Sequence, residues 1–90
     1  MLFMVIEHFR PGQAPAVYRR FRDRGRLAPA GLRYLASWVD RGFERCFQVM
    51  EAESEVQLRE WTGGWDDLID FEIIPVWTSV EAAAAIAPQL

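Results

Sequence analysis

Leu2-Phe3-Met4-Val5-Ile6 puts five consecutive apolar residues near the start of the chain, so a strand there has no side left for water. Pleating sends successive side chains to opposite faces, and a strand with one wet face needs apolar residues only at alternate positions. An antiparallel sheet carrying helices on one side meets that condition. The surplus apolar set calls for a second cover, and a chain of 90 residues has little else to supply it. A second copy of the chain is the natural lid. The sequence thus speaks to architecture and assembly, and it carries no catalytic signature.

Breaker residues divide the chain into strand–helix–strand–strand–helix–strand. Leu2 to Phe9 is the first strand, stopped by Pro11-Gly12. Pro15 suits the first turn of a helix, where its missing N–H costs nothing. Val17, Tyr18 and Phe21 then recur at helical spacing, with Ala14 and Gly25 on the same side and arginines filling the rest. Leu32 to Asp40 reads as the second strand, Arg41-Gly42 as part of a tight connection, and Phe43 to Glu51 as the third strand. Ser54 with Gln57 three residues on is a capping box. It opens a second helix with Leu58, Trp61 and Trp65 inward, weakened at its end by Gly63-Gly64. Asp70 to Thr78 is the fourth strand, and Ser79 is placed to cap a short Ala-rich tail helix over Val80 to Ala87. One domain is expected over residues 1–90, with 79–90 as a tail.

Right-handed crossovers set strands 1 and 2 parallel with strand 3 between them, and strand 4 outside strand 1. That is the α+β, ferredoxin-like βαββαβ arrangement, a four-stranded antiparallel sheet with two helices on one face. On strand 1, Phe3, Val5 and Phe9 oppose Leu2, Met4, Ile6 and His8. On strand 3, Phe47 and Val49 oppose Cys46, Gln48 and Met50. On strand 4, Phe71, Ile73, Pro75 and Trp77 oppose Glu72, Ile74 and Val76. The more apolar set of each strand is expected to meet the helices. On strand 2, Arg33, Leu35, Ser37 and Val39 are assigned to the open side, against Leu32, Tyr34, Ala36 and Trp38. A β-bulge would invert such an assignment locally.

Charge is unevenly divided: residues 1–45 hold nine Arg and four acids, residues 46–90 one Arg and nine acids, so +5 and −8 make the net −3. Arg19, Arg20, Arg22, Arg24 and Arg26 form a basic run. Tyr18 and Phe21 sit there at core spacing and Asp23 interrupts, so the run reads as a solvated face pairing with carboxylates, and no nucleic-acid partner is expected. The lone Cys46 and lone His8 offer neither a disulfide nor a metal cluster. No phosphate loop or nucleophile elbow occurs either, so no metal and no cofactor is expected. No apolar stretch reaches the roughly 18–20 residues of a membrane span, and the N-terminus lacks the marks of a signal peptide. The expectation is a soluble cytoplasmic protein without a membrane partner. Cys46 reads as an inert buried thiol, and Trp61 and Trp65 as core or interface aromatics.

His8, Gln48 and Glu72 fall in one phase on three neighbouring strands, with Cys46 and either Arg33 or Ser37 nearby. Together with Met4, Ile6, Met50, Ile74 and Val76 they have the composition of a small-ligand pocket. His8 is the candidate acid or base, a role in which a Glu neighbour would tune it.

The segments Met1 to Phe9, Arg24-Gly25-Arg26, Gly31-Leu32-Arg33-Tyr34, Ser37-Trp38, Arg45 to Glu51 and Phe71-Glu72 resemble a bacterial family of short proteins, domain of unknown function 3303. The resemblance implies a ferredoxin-like fold and a dimer, and brings no assigned activity. The layout is similar, more distantly, to the dimeric α/β barrel proteins, which include cofactor-free monooxygenases, lactone isomerases and haem-handling enzymes. That is a likeness of fold and carries no function. Three readings follow. The first is a homodimer that binds a small, largely apolar or anionic molecule between sheet and partner, with His8, Arg33, Ser37, Cys46, Gln48 and Glu72 as candidate contacts. The second is a cofactor-free isomerase or monooxygenase, with His8 as acid or base, Arg33 orienting an anion, and Gln48 and Glu72 in support. The third is a purely structural or interaction module.

Overall fold

Each breaker ends an element in the structure, a computed structural model describing residues 1–90. The elements are β1 (Leu2–Phe9), α1 (Ala14–Arg24), β2 (Arg33–Val39), β3 (Arg45–Glu51), α2 (Glu55–Thr62), β4 (Ile69–Val76) and α3 (Ser79–Ile86), the last followed by a 3-10 turn at Ala87–Gln89. The strand order is β2-β3-β1-β4 with every neighbouring pair antiparallel. This is the ferredoxin-like α+β sheet that the crossover rule predicts. Val17 of α1 and Leu58 and Trp61 of α2 share one core with Phe3, Val5, Met50 and Ile69, so both helices lie on the same face. No helix of the chain is long and apolar enough to cross a membrane.

Local chemistry accounts for the boundaries. Ser54 Oγ accepts from the Val56 N–H, and the Gln57 side chain accepts from the Ser54 N–H, closing the capping box at α2. That helix stops at Thr62 before Gly63-Gly64, so Trp65 lies in the turn beyond it, yet remains buried. The tail helix is capped by Thr78, not Ser79. Thr78 has extended backbone, its Oγ1 accepts from the Glu81 N–H at 3.1 Å, and Glu81 Oε1 accepts from the Thr78 N–H at 3.0 Å. Gly25 ends α1 with φ of 72°, its N–H reaching the Phe21 carbonyl. Leu27, two residues on, also takes a positive φ, of 62°. A bulky residue holds that conformation only where its surroundings enforce it.

Two face assignments differ from the sequence expectation. On β3 it is Cys46, Gln48 and Met50 that are buried beneath the helices, whereas Phe47 and Val49 lie on the open face. Cross-strand pairing enforces this, because Phe3 faces Met50, Val5 faces Gln48 and Glu7 faces Cys46. On β2 the register shifts between Tyr34 and Ala36, leaving Leu35 as the extra residue of a bulge. Arg33 stays on the open side, opposite Glu51. Beyond the bulge the phase inverts, and Ser37 and Val39 turn to the helix side, opposite Gln48 and Cys46. The assignments for β1 and β4 hold within the strands, with one addition and one correction: Glu7 shares the inner face of β1, and Trp77 lies beyond the end of β4 and is exposed, not inward.

Candidate functional site

A cavity of about 180 Å³ lies between the sheet and α1. Its floor is built by alternate residues of three adjacent strands: Glu7 and Phe9, Ser37 and Val39, Cys46 and Gln48. Val17, Tyr18 and Phe21, at helical spacing on α1, form the roof, and Trp61, Trp65 and Arg26 close the sides. Eight of the twelve lining residues are hydrophobic, which suits an apolar guest with a few polar anchors. An apolar cavity of on the order of 150 Å³ can hold a benzene ring.

Arg26 organises the polar end. Its carbonyl accepts both indole N–H groups, from Trp61 Nε1 at 2.9 Å and Trp65 Nε1 at 3.0 Å. One backbone oxygen thus fixes two walls, and the left-handed residues on either side of Arg26 turn its side chain inward. The guanidinium lies 3.7 Å from the Tyr34 ring centroid and 5.3 Å from that of Phe21. Such cation–π contacts are worth about 0.5–2 kcal/mol each. Nη1 donates to Gln48 Oε1 at 3.1 Å, while Gln48 Nε2 lies 3.1 Å from Met50 Sδ. Gln48 is almost wholly buried, so its amide is held in one orientation. Tyr34 Oη and Ser37 Oγ are 2.8 Å apart.

Glu7 is the residue that the sequence reading passed over. It sits between Val5 and Phe9 on the inner face, 7% exposed, with the Cys46 thiol as its side-chain hydrogen-bond partner. Burial raises its pKa from 4.5 to about 7 against the opposing pull of Arg26. Burial also pushes the Cys46 thiol up to about 12, with Glu7 adding to the effect, so Cys46 is a protonated, unreactive thiol. Tyr18 is shifted upward as well, first by burial and then by Cys46 and Glu7. Chemically, the cavity offers a permanent cation and a carboxyl that changes protonation near neutral pH, within largely aromatic walls. Strand alternation alone aims Glu7 inward: Phe3, Val5, Glu7 and Phe9 are one set.

The six residues singled out from the sequence do not share a cavity. Ser37, Cys46 and Gln48 line the pocket beneath α1. His8, Glu72 and Arg33 lie on the opposite face of the sheet, where His8 Nε2 is 2.6 Å from Glu72 Oε1 and Arg33 Nη2 is 3.0 Å from Glu51 Oε1. Pairing Gln48 with His8 and Glu72 failed because the face of β3 judged less apolar is the inner one. Its polar groups find partners inside and are not turned to solvent. In the basic run, Arg20 makes a bidentate pair with Asp67 and Arg22 pairs with Asp23, as a solvated face should, but Arg26 leaves the run and enters the pocket.

The chain belongs to the family described as domain of unknown function (DUF3303), whose model matches residues 1–90. No curated protein matches it.

Proposed function

We propose that this chain binds a small, largely apolar molecule in the cavity beneath α1, and that it acts as a homodimer joined through the open face of the sheet. The observation that carries the binding reading is Glu7, a buried acid in the cavity wall whose only side-chain hydrogen-bond partner is the weakly donating Cys46 thiol. Burial raises the pKa of this carboxyl to about 7, and ionisable groups shifted in this way beside a cavity concentrate at functional sites. The guest belongs between sheet and α1, on the far side of the sheet from the partner, so His8 has no part in holding it.

The dimer reading rests on what the single chain leaves uncovered. Only 13 of 90 residues are buried. Met4, Ile6, Phe47, Val49 and Ile74 form the middle of the open face, and Trp38 beside them is 61% exposed. His8–Glu72 and Arg33–Glu51 supply polar pairs toward its margins, as a rim does. Strand spacing and rise give a face of about 20 by 25 Å, whose side-chain relief approaches the roughly 800 Å² per partner of a stable interface. Every residue from Trp77 to Leu90 is exposed as well, including the whole of α3. A helix of eight residues is too short to hold in water unaided, so a second copy is the natural support for this arm.

Benzyl alcohol, a single ring with one hydroxyl, is the test ligand. It should raise the melting temperature of the wild-type protein, because a ligand at 100 times its Kd adds about 2.7 kcal/mol. Val39→Phe fills the cavity from its floor and should abolish that shift while preserving the circular dichroism spectrum. An equal shift in both proteins would move binding elsewhere, and no shift in the wild type would overturn the pocket.

A further inference from the structure

Arg26 stands apart among the arginines. Arg10, Arg20, Arg22, Arg33 and Arg59 each pair with a carboxylate within 4.0 Å. Arg19, Arg24, Arg41 and Arg45 are exposed to water. Arg26 is half-buried, lines the cavity, and its guanidinium is satisfied only by a neutral amide and two aromatic faces. The acid sharing its cavity, Glu7, makes no ion pair with it, and Glu7 is largely or partly neutral up to about pH 7. The other titratable groups facing Glu7 are Tyr18 from α1 and Cys46 from β3, both neutral at that pH. β2 and α2 contribute only Ser37, Val39 and Trp61. The cavity therefore holds one uncompensated positive charge, and a protonated carboxyl with a hydrogen to donate.

We propose that the natural guest is a small organic monocarboxylate with a single-ring or branched apolar body, its carboxylate paired to Arg26 and hydrogen-bonded by the protonated Glu7. This rests on the pocket reading above and adds the charge of the guest to it. The planar guanidinium suits a carboxylate, and charge-assisted hydrogen bonds are the strong ones. Aromatic walls take the apolar body. Ionisation of Glu7 would set two carboxylates against each other, so the guest is held together with a proton.

Benzoate and benzyl alcohol have closely similar shapes and differ in charge, and titrations of both, followed by calorimetry at pH 6, 7.5 and 8.5, test this. Benzoate should bind at least about tenfold tighter than benzyl alcohol at pH 6. Its Kd should then rise toward about tenfold per pH unit above 7, with one proton taken up per benzoate. Arg26→Met should lose benzoate and keep benzyl alcohol, and Glu7→Gln should keep benzoate and lose the pH dependence. Equal affinity for the two at pH 6, or a benzoate affinity flat from pH 6 to 8.5, would overturn the anion assignment while leaving the pocket standing. Failure of both to bind would remove the pocket itself.

Discussion

Glu7→Gln should remove about 3 kcal/mol of pH dependence from the stability of the fold, all of it between pH 4.5 and about 7. The wild-type carboxyl has its pKa raised from 4.5 to about 7 by burial. Across that window the native state therefore holds a proton that the unfolded chain has lost, and stability falls as pH rises. Below 4.5 both states are protonated, and above about 7 both are ionised and the loss is complete. A shift of about 2.5 units at about 1.4 kcal/mol each sets the size. Gln keeps the shape and cannot ionise. Urea titrations at pH 4.5 and 8 should show a much smaller drop for the variant. The lowered carboxyls Asp40, Asp67 and Glu81 are common to both proteins, so the difference isolates Glu7. Parallel curves for the two proteins would show that Glu7 titrates as a surface acid.

Met4→Asp should convert a dimer into a folded monomer. Met4 lies at the centre of the open face, between Val49 on β3 and Ile74 on β4. A charge there would be enclosed by apolar side chains, and symmetry would repeat it in the second copy. An uncompensated buried charge costs about 3–5 kcal/mol. In the single chain the position is only half-buried, so the fold itself should survive. Light scattering should give about twice the 10.4 kDa chain mass for the wild type and 10.4 kDa for the variant. A wild type that scatters as 10.4 kDa at micromolar concentration would end the dimer reading.

The architecture was legible in the sequence because its punctuation is local: Pro11-Gly12, Ser54 with Gln57, and Gly63-Gly64 each act within a few residues. The strand order followed from crossover handedness. The site was half legible. Ser37, Cys46 and Gln48 stand out for their polarity but fall on the wrong face, Cys46 and Gln48 because apolarity does not mark the inner side of β3, and Ser37 because of the bulge in β2. A face that lines a cavity breaks that rule, because it keeps polar groups inward where they meet a long-range partner. That partner, Arg26, is 22 residues from Gln48 and was hidden in a run of surface arginines. The bulge at Leu35, which turns Ser37 inward, has no Gly or Pro to announce it. Glu7 was the readable miss, since simple alternation with Phe3, Val5 and Phe9 aims it into the core.

The four tryptophans offer a direct test of which surface is the site. Trp61 and Trp65 wall the cavity, Trp38 lies on the open face and Trp77 precedes the tail helix. Each indole N–H gives its own signal in a nitrogen–proton correlation spectrum, and the Trp61 and Trp65 donors both end on the Arg26 carbonyl. Titration with benzyl alcohol should move the Trp61 and Trp65 signals, together with the Gln48 side-chain amide, and leave Trp38 and Trp77 in place. Movement of Trp38 with Trp61 and Trp65 unchanged would put the ligand on the other face of the sheet and contradict the account.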